Sequence, residues 1–191
     1  MKPIKTIGHS NHPIERFVGL LTAGGVEARV DVRSTPYSRR FPQFGRERLA
    51  QSLAAAGILY RYEGAALGGK PNLGKSGGGG NYDELAARPE FKDALGRLIA
   101  GAADATLCLM CAEKEPLDCH RTVLVARRLA ERGVAVEHLL ADGRQEPHAA
   151  IEDKLLAASE RGGPDLFTTA EDRAVRLARA YLARERAMKR A

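Results

Sequence analysis

The sequence predicts the α/β class, with a mostly parallel sheet of five strands covered by helices on both faces. Two observations carry this. Over the first 140 residues, short apolar runs of strand length alternate with segments of helical periodicity, the order of successive β-α units. The run LCLMCA, 107–112, is apolar throughout, as a central strand covered on both faces must be. At 191 residues, 44% hydrophobic and 28% charged, the chain has material for one domain with a real core and is no disordered polyampholyte.

The first strand is read at Ile4 to Gly8. A helix opens at Pro13, carries Ile14, Phe17, Val18 and Leu21 on one face and stops at Gly24-Gly25. The second strand spans Ala28 to Arg33. A second helix, Arg46 to Ala56, turns Leu49, Leu53 and Ala56 inward and ends at Gly57 before the third strand, Ile58 to Tyr62. Seven glycines then fall within residues 68–81, a composition suited to a functional loop. A third helix starts near Pro89 with Phe91, Ala94, Leu95 and Leu98 at helical spacing. The fourth strand is Thr106 to Ala112, and Asp118 is expected to cap a helix running to Arg132 with Val123, Ala126, Leu129 and Ala130 inward. A fifth strand, Val134 to Leu139, precedes a helix from Pro147 to Glu160. Together these make a three-layer, Rossmann-like domain over residues 1–145. Residues 146–191 form a C-terminal helical extension: after a linker at 159–167, a last helix begins at Thr168 or Thr169, with Asp172 as the acid of a capping box.

Net charge is +6, and residues 171–191 hold seven basic against three acidic side chains, so +4 of it sits in the tail and +2 in the body. That last helix also carries an apolar stripe, so its arginines are read first as a solvated face and second as a grip on nucleic acid. No apolar run reaches membrane-spanning or signal-peptide length, and the three clustered cysteines suit a reducing compartment, so a cytoplasmic protein without a membrane partner is expected.

The stretch GKPNLGKS, 69–76, satisfies the phosphate-loop pattern, but it leads into GGGG where a phosphate-gripping helix should begin, and glycine disfavours a helix by roughly 1 kcal/mol per residue. A nucleotide hydrolase of that type is therefore rejected. Other spacings exclude more. The sixth residue after Cys111 is Leu117, so the C-x5-R thiol site is absent. Cys108 and Cys111 form C-x-x-C on a strand and face opposite sides. No G-x-G-x-x-G is present.

In a parallel sheet, ligands gather at the carboxyl ends of the strands. GHSN, 8–11, DVRSTP, 31–36, LGG, 67–69, and CAEKEPLDCHR, 111–121, all fall there. Asp31 and Arg33 share one face of their strand. With Asp118 as cap, Cys119, His120 and Arg121 occupy a first helical turn, where free amides favour an anion and a thiolate. Cys111 and Glu113, on alternate positions, are expected to point to the same side. His9 and Ser10 sit at the first strand-to-helix turn. A zinc ion on Cys111, Cys119 and His120, with His9 as a further candidate ligand, is an alternative left open and not favoured.

TIGHSN, 6–11, VDVRSTPYSRRFPQF, 30–44, YEGAALGGKP, 62–71, and LMCAEKEPLDCHR, 109–121, together resemble the bacterial and archaeal family called domain of unknown function 488. The resemblance extends to about Gly143 and implies a three-layer α/β domain with a shared polar pocket and no established reaction. Mapped by motif, that pocket comprises Gly8, His9, Ser10, Asp31, Arg33, Pro36, Ser38, Gly68, Gly69, Cys111, Glu113, Cys119, His120 and Arg121. The glycine run 77–80 and the basic tail are less typical of the family.

The expectation is thus an enzyme acting on a phosphorylated or nucleotide-like anion, of hydrolase or glycosyl-transfer type. Arg33 and Arg121 would hold the anion, His120 or His9 would move a proton, and Cys111 or Glu113 would serve as nucleophile or base, with Asp31 beside Glu113 in a glycosidic mechanism. The rival expectation is a non-catalytic nucleic-acid-binding or ligand-sensing module.

Overall fold

The computed structural model describes residues 1–70, 81–159 and 173–190. The elements are β1 (Ile4–Gly8), α1 (Ile14–Ala23), β2 (Ala28–Asp31), α2 (Arg46–Ala55), β3 (Leu59–Tyr62), the single turn α3 (Gly64–Leu67), α4 (Tyr82–Ala87), α5 (Pro89–Asp104) and β4 (Leu107–Cys111). A π-helical stretch, Arg121–Ala126, runs straight into α6 (Arg127–Ala130). β5 (Val136–Leu139), β6 (Gln145–Pro147), α7 (His148–Ser159) and α8 (Arg173–Arg190) complete the chain. The glycine run 77–80, most of GKPNLGKS, the linker from 160 onward and the start of the last helix with Asp172 lie outside the described residues.

The strands lie in the order β3-β2-β4-β1-β5-β6, five of them parallel. β6 pairs antiparallel with β5 and makes the sheet six-stranded rather than five-stranded. Its three residues, QEP, carry no apolar alternation, so nothing in the sequence marks them as a strand.

Alternation along the strands builds two cores. Ile7, Cys108 and Met110 face α1 and α2, where Phe17, Leu20, Leu21, Leu49 and Leu53 cover them. Val30, Leu107, Leu109 and Cys111 face the other way, against Phe91, Leu95 and Leu98 of α5 and Val123, Leu124 and Leu129 around α6. Cys108 and Cys111 therefore lie on opposite faces. A short helix, α4, lies between β3 and α5 in residues that the sequence pattern assigns to no element. Asn81 caps it by accepting the Glu84 amide hydrogen, and Tyr82 and Leu85 pack inward.

The C-terminal helices close on the larger core through Leu155, Leu156, Ala180 and Tyr181. Under them runs a row of buried hydrogen bonds. Thr6 Oγ1 lies 2.8 Å from His138 Nδ1, His138 Nε2 3.0 Å from His148 Nδ1, and His148 Nε2 3.0 Å from the Tyr181 hydroxyl, which donates to Glu152 over 3.0 Å. A carboxylate only accepts, so Tyr181 must donate to it, and every bond upstream then points the same way with both imidazoles neutral. Burial holds both below the ordinary histidine range, His148 at about 4. On α8, the buried Glu185 accepts the amide hydrogen of Tyr82 at 2.8 Å, tying the helix to the start of α4.

Two neighbouring strands, β1 and β4, feed connections that leave toward opposite edges of the sheet: β1 leads to β2 on one side and β4 to β5 on the other. The crevice above such a pair is where parallel sheets bind ligands.

Candidate functional site

Polar residues at that crevice divide between the two faces of the sheet. On the α1-α2 face, Asp31 ends β2 with both carboxylate oxygens engaged. Arg33 donates to them from Nε at 2.9 Å and from a terminal nitrogen at 2.7 Å, Tyr60 donates at 2.9 Å, and Arg29 stands 3.3 Å away. All three charged side chains are buried, and the Arg29 guanidinium also lies 4.9 Å over the Tyr60 ring. Burial raises the Asp31 carboxyl, but the hydrogen bonds from Arg33 and the charges of both arginines outweigh it and hold it below its ordinary value. Arg33 further donates to the Phe44 carbonyl at 2.8 Å and to His9 Nε2 at 3.3 Å. His9 stacks on Phe44 with ring centroids 4.2 Å apart and donates from Nδ1 to the Ser10 carbonyl. Burial, above all, brings its pKa down to about 4. Ser10 holds a φ of 47°, the one positive value at a non-glycine among the described residues.

On the opposite face the β4 turn brings two sulfurs and an imidazole together. His120 Nδ1 lies 3.4 Å from Cys111 Sγ and 3.9 Å from Cys119 Sγ. Its Nε2–H donates to the Val32 carbonyl at 2.9 Å, which fixes the ring and leaves Nδ1 facing the thiols. The neighbouring Cys119 sulfur, then burial, holds the Cys111 thiol well above the usual thiol range. For Cys119 burial acts upward, yet the neighbouring Cys111 thiol, the Arg121 guanidinium and His120 leave it well below that range. Burial likewise lowers His120, and its bonds to Cys119 and Val32 raise it overall. The nearer sulfur to the imidazole is thus not the one that holds the charge. Tyr82 is buried close enough to feel both thiols. Gly69 closes the ring from above: a Cβ there would stand 2.7 Å from His120 Cβ and Cγ.

Four expectations need correction. Asp118 is no helix cap; it ends a 3-10 turn, Pro116–Asp118, and forms an ion pair with Arg184. Cys119 is extended, with φ −137° and ψ 139°, and its carbonyl accepts the amides of Thr122 and Val123, so the thiol residue itself occupies the cap position. Glu113 does not share a face with Cys111, because β4 ends at Cys111 and the chain bends at Ala112, leaving the Glu113 side chain exposed. Neither guanidinium expected to hold an anion faces outward. Arg121, 1% exposed, donates to the carbonyls of Glu113 at 2.5 Å and Lys114 at 3.0 Å, and Arg33 is spent on Asp31 and Phe44. Arg121 instead braces the β4 turn against Gly8, where any Cβ would land on the Glu113 carbonyl.

The remaining candidates are supports. Ser38 Oγ accepts the Phe41 amide hydrogen, and the Pro36 carbonyl accepts that of Arg46. Gly68 packs on Ser34, whose hydroxyl accepts the Lys70 amide hydrogen at 2.9 Å. Sequence reading missed Arg29, Tyr60, Phe44, Ser34 and Tyr82. Arg29 was within reach, since it alternates with Asp31 and Arg33 on one strand face. The others are joined to the site only by the fold.

Residues 13–128 match the family model described as domain of unknown function DUF488. The chain belongs to the DUF488 family. The matched span holds three of the four motifs, together with both sulfurs, the imidazole and the Asp31-Arg33 pair, while TIGHSN precedes it. Neither a curated protein nor a solved structure matches the chain. No helix among the described residues is long and apolar enough to cross a membrane. In this DUF488 protein the basic α8 is partly committed to its own chain, with Arg173 on Asp153 and Arg184 on Asp118.

Proposed function

We propose that this DUF488 protein is an enzyme of hydrolase or transferase type whose working centre is Cys111, Cys119 and His120, acting on a small anionic, nucleotide-like substrate. One observation carries the reading: an imidazole pinned through Nε2 to Val32 presents Nδ1 to two sulfurs at the switch point of a parallel sheet. In the reaction Cys119 sulfur bonds to the electrophilic carbon or phosphorus as the bond to the leaving group breaks, and His120 gives the leaving group its proton. Water then cleaves the sulfur–substrate bond, returning one proton to His120 and releasing the thiolate. An anionic substrate is favoured by the exposed Arg39, Arg40, Lys70 and Lys114 on the carboxyl-end loops and Arg46 at the start of α2, since the buried Arg33 and Arg121 are already bonded internally.

The test is a turnover screen over nucleotides, nucleosides and sugar phosphates, with wild type, Cys119→Ser, Cys111→Ser and Cys108→Ser checked for native circular dichroism. Turnover should vanish in Cys119→Ser and persist in Cys108→Ser, whose target lies on the other face. Equal turnover in all four overturns the proposal. Binding of nucleic acid that disappears on removing residues 168–191, with no turnover anywhere, would favour a binding module instead.

A further inference from the structure

We infer that Cys111, Cys119 and His120 also form a binding site for one zinc-class divalent ion, and that metal occupancy shuts off thiol chemistry at this centre. The inference rests on the reading of these residues as the working centre and names what regulates it. Each residue offers one ligand atom, and the three atoms lie within 4.8 Å of one another. Around a tetrahedral zinc, with Zn–S of about 2.3 Å and Zn–N of about 2.0–2.1 Å, sulfur and nitrogen stand about 3.6 Å apart and two sulfurs about 3.8 Å apart. The sulfur–nitrogen separations here are 3.4 and 3.9 Å, each within a few tenths of an ångström of that spacing, and the two sulfurs lie within 4.8 Å of each other.

The outer contacts have the form a metal site uses. A ligating histidine commonly gives its second N–H to a backbone carbonyl, which sets the tautomer and aims the lone pair, and His120 gives Nε2–H to Val32. The donor set is soft and matches zinc rather than magnesium or calcium. His9 supplies no fourth ligand, because it lies across the sheet with Nδ1 on Ser10 and Nε2 accepting from Arg33. Among the described residues no other histidine, cysteine or carboxylate joins the group. Three protein ligands and one open position is the arrangement of a zinc that binds water or a substrate atom. The group holds two removable protons in the metal-free protein, and both leave when two thiolates and a neutral imidazole bind the ion, so the loaded centre is electrically neutral. With both sulfurs coordinated, neither is available to attack a substrate.

The experiment is a titration of the full, reduced chain with cobalt(II), followed by zinc. One ion per chain should bind with the visible absorption of tetrahedral cobalt and a sulfur-to-cobalt charge-transfer band; zinc should abolish both, with two protons released per ion. Cys111→Ser, Cys119→Ser and His120→Gln should each weaken binding at least tenfold, with Cys108→Ser unchanged. Zinc should also slow iodoacetamide alkylation of Cys119 tenfold or more. The wild-type spectrum decides even if a variant misfolds: an octahedral, sulfur-free cobalt spectrum overturns the site. Metal binding that leaves alkylation unslowed overturns the shut-off. Failure here with rapid alkylation of the metal-free protein leaves the proposed function standing. A metal site in a protein whose turnover survives Cys119→Ser defeats that function and not the site.

Discussion

The two polar groups at the crevice sit on opposite faces of the sheet, one gathered at the end of β2 and the other at the turn after β4, and differ in how completely they are satisfied. Asp31 has partners for both oxygens, from two arginines and a tyrosine. The carboxylate is thereby saturated and offers a ligand little, although the buried Arg29 keeps Nε and one terminal nitrogen without a hydrogen-bond partner. Cys111, Cys119 and His120 meet mainly one another, through weak sulfur contacts, with one nitrogen and two sulfurs facing a common point. Charge density in the sequence therefore draws attention to the half whose carboxylate is already satisfied, and the softer, less charged half is the one we propose as the reactive centre.

The contrast predicts a division between stability and reactivity. The largest effect should follow Asp31→Ala, which strands two buried guanidiniums; breaking a buried pair costs about 3–5 kcal/mol, to be read from urea unfolding. A loss below about 1 kcal/mol would show that the carboxylate does not hold the two guanidiniums in place. Acidification should loosen the same side next. Buried His9 has a folded pKa of about 4 against 6.5 when exposed, so the unfolded chain binds the proton first and stability falls as pH drops from about 6.5 toward 4. His148 and His138 act with the same sign, each by up to about 1.4 kcal/mol per pH unit, and the decline should level off once His9 and His148 titrate in the fold. Flat stability between pH 7 and 5 would contradict it. Gly8→Ala, which drives a methyl into the Glu113 carbonyl where the two halves meet, should cost about 1–3 kcal/mol and displace the β4 turn, seen as faster amide exchange there. Cys119→Ser should be the mildest for the fold, at about 1 kcal/mol or less, while removing alkylation at that position. A larger loss would place the thiols among the structural groups.

Much of the fold was legible. Strands beginning at Ile4 and Ala28 and helices at Arg46 and Pro89 follow from apolar spacing and from glycine and proline at their ends. The five parallel strands were readable for the same reason, whereas β6 holds its place by pairing with β5 and shows no pattern of its own. The site was half legible. Which residues gather at the strand ends follows from sheet geometry, and the opposite facing of Cys108 and Cys111 from simple alternation. What each one does there did not follow, because a bend at Ala112 turns Glu113 outward and a π-helical start after Cys119 draws Arg121 inward. Neither departure has a propensity signal; both come from how the β4 turn packs on Gly8.

The one-way row of bonds from Thr6 to Glu152 has a consequence for the terminal helix. Because a carboxylate at one end sets the sense of every proton in the row, the first strand and the last helix share a single protonation pattern. Nitrogen NMR should find both imidazoles as the Nε2–H form. Replacing Glu152 by glutamine would free the sequence of donors to reverse, so that a change at the half-buried edge of α7 is read out three hydrogen bonds away, in the tautomer of the His138 ring beside β1.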